Sequence, residues 1–445
     1  MKFQTRAFYG VAVIGVVTAL LMPQPSSAAN VKLTLKDEPR PSNIRLQETE
    51  MGVVFADSLG MTLYTDRDDP KENVPACVDK ETKVMGADGE ETIVARNPLP
   101  VKHTCLTKHI PVEVGDAKPV GPWTVLERPN GVKQWAYRGH AVYRSVKDLA
   151  PGQTWLSFEP GLRQFRKRWS ILFAPVDLPP DIMLQTIGAA RVFATFSGRT
   201  LYTLAQDRPG KSSCEGACLD KWQPFLGGSM SQSRGEWTLV TRSDGARQWA
   251  LHGKPLYTFT GDRRGAEVKG NNLPGSQVAI AYAAPPPPSF MTIQTTPIGD
   301  VYANEKGMTL YAFLCPAPGN TEIECDDAGE KTHWWFVTCG NSPEKCAEQW
   351  HPVLAAPDAK PMGNTWTIVT LPLPWSPVRA PEGSTEPGVR VWAQNGRPLF
   401  TYSYEDRPGM IDGMDVGTFL GPRFYGILAA GGNLNSKDSI TQASR

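Results

Sequence analysis

Apolar and polar residues alternate over short stretches of this chain, and Gly, Asp-Gly or Pro interrupts the stretches. A period of two places successive side chains on opposite faces of a strand, one packed and one wet. Residues 238–242 (TLVTR) and 247–251 (RQWAL) flank Asp244-Gly245. Asp-Gly supplies the positive φ angles of a tight turn, so this stretch predicts a hairpin. Gly253 then turns the chain into a third strand. The pattern predicts an all-β protein built from antiparallel three-strand meanders.

The meander recurs. Gly-x-x-Leu-Tyr or a near variant starts at Gly60, Gly139, Gly198, Gly253, Gly307 and Gly396. Copies one, three and five follow VVFAD, RVFAT and DVYAN; copies two, four and six follow KQWAY, RQWAL and RVWAQ. The six half-repeats therefore pair into three tandem repeats, each a double antiparallel β-meander. Each pair has a matching middle, CLTKHIP, CLDKWQP or CAEQWHP, with Pro six residues after Cys. A Trp strand follows, beginning at Trp123, Trp237 or Trp366. A short helical turn is expected after the Cys segment, at Leu219 to Trp222 in the second unit.

The boundaries expected are a lead-in at 30–43, units at 44–176, 185–284 and 292–431, a Pro linker at 285–291 and a polar tail at 432–445. Proline linkers are stiff and favour separate domains, although six meanders closing into one toroid is the other arrangement. Such self-similarity is the mark of a repeat architecture.

Composition narrows the class. With 41 Gly and 40 Pro among 445 residues, long helical bundles are excluded. The 16 Phe, 13 Trp and 12 Tyr supply core material that a disordered chain lacks. Residues 1–29 read as a signal peptide: Lys2 and Arg6, an apolar run from Tyr9 to Met22, then small residues up to Ala29. Cleavage near Ala29 would leave a soluble periplasmic or secreted protein without a transmembrane segment. Positive and negative charges nearly balance, at 46 Lys+Arg and 45 Asp+Glu, which offers no long-range attraction for nucleic acid.

Eight Cys in an exported chain favour disulfides. The unit pattern suggests Cys77–Cys105 and Cys214–Cys218. Cys315, Cys325, Cys339 and Cys346 allow three pairings, of which Cys315–Cys325 with Cys339–Cys346 keeps neighbours together. A soft-metal or redox role for Cys214 and Cys218 is the rival reading.

Leu201-Tyr202-x4-Asp207, then Cys214-x-Gly-x-Cys218 and Trp222-Gln223-Pro224, resembles the tandem secreted-repeat lipoproteins that carry a Y-x4-D motif. The second unit carries the resemblance best, and it extends over nearly the whole chain after residue 29 as three copies. It implies an exported β-repeat, and the function of that family is undefined. The chain has no Cys near the cut for lipid attachment, so it resembles a soluble version of those lipoproteins.

Tyr and Asp stand five apart at Tyr64/Asp69, Tyr143/Asp148, Tyr202/Asp207 and Tyr257/Asp262. In the third unit Tyr311 meets Pro316 and Phe400 meets Glu405. In a regular strand such positions point oppositely. The structural expectation is an inward Tyr with the Asp accepting turn N–H groups. The functional expectation is a rim of carboxylates that binds a cation or polar ligand, confined to the first two units.

No hydrolase elbow, zinc-protease helix, phosphate loop or dinucleotide fingerprint is present. The sequence therefore points to a non-enzymatic scaffold that binds a small ligand or a protein partner through loops. Two insertions, 78–104 and 314–338, are candidate contact regions, the second with Trp334, Trp335 and Phe336. The alternative is a redox, metal- or haem-handling accessory of the cell envelope. No cofactor is required by the sequence, and a metal or non-covalent haem stays open.

Overall fold

The computed structural model describes residues 33–426 except 78–82, 86–90, 94–104, 158–168, 315–338, 373–386, 417–422 and the positions 68, 70, 71, 129, 188, 264, 266, 298, 340, 341 and 415. The leader, most of the first insertion and nearly all of the second (with Cys315, Cys325, Trp334, Trp335 and Phe336) and the C-terminal tail thus lie outside the described residues.

The protein is mostly β, in small antiparallel sheets. The second unit shows the plan. Strands Ile182–Ile187 and Ala190–Thr195 form a hairpin, joined by Ile280–Tyr282. Tyr202–Leu204 lies between Tyr257–Phe259 and Ser276–Val278, and Trp222–Pro224 borders Tyr257–Phe259. The Asp-Gly hairpin forms, with Thr241 opposite Arg247, but only Gly245 (φ 82°) takes a positive angle there. His252 (φ 50°) and Gly253 (φ 75°) make the next turn, the two positive angles that match the twist of paired strands. Arg138-Gly139 and Asn395-Gly396 repeat that turn in the other units.

Two clusters fill the second unit. One gathers Phe193, Leu201, Trp237, Trp249 and Leu256; the other holds Tyr202, Cys214, Trp222, Tyr257 and Val278. The strand tryptophans Trp135, Trp249 and Trp392 are buried and belong to cores. Edge-to-face pairs such as Phe193–Trp237, 4.9 Å between centroids, fix ring orientation. Pro111, Pro224 and Pro352 end short strands and face Tyr143, Tyr257 and Phe400.

The helical turn begins earlier than the sequence suggests. It spans Gly216–Asp220, and Trp222 already belongs to a strand. The second Cys lies inside it, as in Cys105–Lys108 and Pro343–Gln349, so the disulfide and the turn are one local structure. The cross-links Cys77–Cys105, Cys214–Cys218 and Cys339–Cys346 are formed.

Direct contacts join the units. Glu50 accepts bonds from Asn364 N (2.7 Å) and Thr365 Oγ1 (2.5 Å), and Trp155 Nε1 donates to Asn364 O at 2.8 Å. The positive φ of Gly363 (+67°) favours glycine, and a side chain there would also displace the Glu50 carboxylate from its bonds. Arg191 lies between the first and second units. Its guanidinium stacks 3.7 Å from the Phe173 ring centroid and donates to Met51 O at 3.3 Å. Burial lowers its pKa to about 10. Glu50→Ala removes two acceptors at once and is expected to cost about 1–3 kcal/mol of stability. In a calorimetric scan the third unit should then melt ahead of the first; an unchanged single transition would refute the coupling.

Candidate functional site

The buried centre of each unit is a pair of facing strands. Tyr202 is the register partner of Tyr257, Tyr64 of Tyr143, and Tyr311 of Phe400. All five tyrosines are fully buried. A buried phenol needs a hydrogen-bond partner, because an unpaired one costs the desolvation of its hydroxyl.

The partner comes from the other half-repeat. Tyr202 donates to Asp262 Oδ2 at 2.5 Å, and Tyr257 donates to Asp207 Oδ2 at 2.8 Å. Tyr64 donates to Asp148 Oδ2 at 2.7 Å. The motif Asp is therefore not the partner of the Tyr five residues before it. As each strand leaves its own tyrosine, the antiparallel neighbour carries the other copy's carboxylate to it. The exchange across the local two-fold is reciprocal in the second unit.

The remaining carboxylate oxygen organises a loop. Asp69 Oδ1 accepts from Ala76 N, Asp148 Oδ1 from Trp155 N, Asp207 Oδ1 from Ser213 N and Asp262 Oδ1 from Lys269 N, all at 2.7–3.0 Å. Each carboxylate thus ties one half-repeat's loop. Asp69 Oδ2 turns to Ala141 N at 3.1 Å, while the Tyr143 hydroxyl accepts from Arg128 Nη1 at 3.4 Å.

The third unit revises the expectation that it lost the motif. Tyr311 donates to Glu405 Oε1, which also accepts from Gly413 N at 3.0 Å. Because pairing crosses the halves, Tyr311 and Glu405 are partners; Phe400 and Pro316 are what replaces the other pair. Half the arrangement is kept and half is replaced as a set.

An arginine that the sequence reading missed completes the polar core. Arg242 Nη1 donates to Ser212 Oγ (2.7 Å) and Gln248 Oε1 (2.8 Å), and Nη2 to Cys214 O (2.9 Å). Ser212 and Tyr257 hydroxyls lie 2.7 Å apart. With Tyr257 donating to Asp207, the bonds run in one direction from guanidinium through two hydroxyls to carboxylate. In the first unit Arg128 similarly reaches Gln134 Oε1 and Cys77 O, both at 2.6 Å. Leu371 and Val391 occupy these places in the third unit, fully buried beside Phe400. The signal was in the sequence: TRSDGARQW and ERPNGVKQW share Arg and Gln, and the third unit lacks both.

These groups titrate abnormally. Burial first, and the adjacent carboxylate second, push Tyr64, Tyr202 and Tyr311 well above the ordinary phenol value. Tyr257 rises to about 12, again chiefly by burial. Burial also raises the carboxyls of Asp69, Asp262 and Glu405. These residues form a lock between half-repeats. Among the described residues no three His, Cys, Asp or Glu side chains gather as a metal ion requires. No described helix is long and apolar enough to cross a membrane.

No curated protein and no solved structure matches the chain. A family model does, in two consecutive stretches. Each stretch contains one Tyr and one Asp of the motif, and each takes its phenol–carboxylate bond from the other. Residues 191–225 and 238–275, the two halves that exchange these bonds, match Lipoprotein_15, a secreted repeat of unknown function.

Proposed function

We propose that the protein is an exported β-scaffold, periplasmic or released, that binds a protein partner or a small ligand through its loops and turns over no substrate at its repeated motif. One observation carries this reading. The tyrosines and carboxylates that recur are bonded to internal partners, whereas several large apolar side chains face solvent. Tyr202, Tyr257, Asp207, Asp262, Arg242 and Gln248 all have internal partners. Large apolar side chains, by contrast, stand at the surface: Phe196 is 80% exposed, Met230 91% and Leu354 64%. Exposed apolar groups on a rigid frame are contact material.

The test is a photo-crosslinking residue placed at Phe196, Met230 or Leu354 in the full chain expressed in its native host. A discrete adduct from at least one position is expected, with Lys133 as a control that gives none. The adduct should persist in Asp262→Asn protein kept below its melting temperature. Turnover of a substrate that vanishes in folded Asp262→Asn protein would overturn the reading.

A further inference from the structure

We propose that the third unit contains an electron relay, in which Tyr311 is oxidised through Trp350, Tyr402 and Tyr404 while its phenolic proton passes to Glu405. This goes beyond the scaffold reading and does not depend on it. The four rings form a continuous ladder. Centroids of Tyr311 and Trp350 are 5.5 Å apart, those of Trp350 and Tyr402 4.6 Å, and those of Tyr402 and Tyr404 5.3 Å. The ladder starts at a fully buried phenol and ends at Tyr404, which is 64% exposed. Every ring belongs to Tyr or Trp, the side chains from which one electron is most easily removed.

Removing an electron from a phenol makes its hydroxyl strongly acidic. The proton must leave with the electron, since a buried radical cation would be an uncompensated charge. Tyr311 already donates its hydroxyl proton to Glu405 Oε1, so the acceptor is in place. Glu405 is suited to keep it. Its Oε1 takes both Tyr311 and Gly413 N, whereas buried Oε2 has no hydrogen-bond partner. An anion so poorly supported gains by protonation.

An outer-sphere metal complex in its oxidised state takes one electron from Tyr404. Electrons shift outward along the ladder, Tyr311 becomes a neutral phenoxyl, and Glu405 becomes a neutral acid. Reduction from outside reverses each change.

The second unit supplies an internal control. Tyr202 donates to Asp262 and packs 5.3 Å from Trp222, so the proton acceptor and first ring contact are the same. The next ring is Phe259, 4.9 Å on, and Gly261 stands where the third unit has Tyr404. Phenylalanine does not carry the electron, so that ladder ends short.

The test is flash oxidation of the full chain with ruthenium tris-bipyridine and a cobalt(III) acceptor, followed by transient absorbance and electron paramagnetic resonance. A long-lived phenoxyl signal is expected from the intact chain. Tyr402→Phe places the second unit's residue in the ladder and should fold; it should slow formation of that signal without changing its line shape. Tyr404→Phe should slow it likewise, and Glu405→Gln should abolish the long-lived radical. Equal rates in wild type, Tyr402→Phe and Tyr404→Phe would overturn the relay. So would an unchanged signal in Tyr311→Phe.

Discussion

Arg242→Leu, made alone, is expected to destabilise the protein by about 3–5 kcal/mol, the range for removing one partner from a buried charged network. Arg242 is 7% exposed, and its guanidinium serves Ser212, Gln248 and Cys214 O. Leucine supplies no donor, so an amide oxygen and a main-chain carbonyl are left unpaired in the interior. Asp207 also loses the cation at the far end of its relay. The third unit shows that the fold accepts an apolar version, with Leu371, Val391 and Phe400 buried together. Hence Arg242→Leu combined with Gln248→Val, Tyr257→Phe and Asp207→Asn should cost less than the sum of the four single changes. Partners removed together leave no orphan, and neighbours in one network do not add. Urea denaturation of the five variants decides it. Strict additivity, or a cost below about 1 kcal/mol for Arg242→Leu, would show that the network does not act as a unit.

The Asp-Gly hairpin, the inward Tyr and the all-β class follow from local periodicity and turn chemistry. Tyr202 and Asp207 also stood out, because spacing along one strand is visible in a string of residues. Their true partners did not stand out. Tyr202–Asp262 depends on which strand lies beside which, and a spacing of five points at the wrong carboxylate. The same error made the third unit look as if it had lost the motif, when Tyr311 and Glu405 had stayed paired. Arg242 and Gln248 were legible only by comparing units, since a lone Arg beside a turn reads as surface. Glu50 and Thr365 had no signal, because a contact between units occurs once and repeats nothing.

Alkaline pH should unfold this protein through its tyrosines. Unfolded phenols titrate near pH 10, whereas Tyr64, Tyr202 and Tyr311 are held well above that and Tyr257 rises to about 12. The native state therefore binds these protons more tightly than the unfolded state. Their contribution is complete below about pH 10 and falls as pH rises toward the folded values. All four phenols act in one direction, so their losses accumulate over the same window. At the acid end the sign is also that of raised groups. Asp69, Asp262 and Glu405 favour folding most below the ordinary carboxylate range and contribute less as pH climbs through it, so these three do not drive acid unfolding. Phenolate absorbance recorded with circular dichroism should then show a gradual phase from accessible tyrosines and a later cooperative step. That step should coincide with loss of the β signal, because an interior phenol facing a carboxylate ionises only when the strands part. A single smooth phenolate curve, complete while the β signal is intact, would mean that the tyrosine–carboxylate pairs open to solvent without unfolding, and the lock between half-repeats would have to be abandoned.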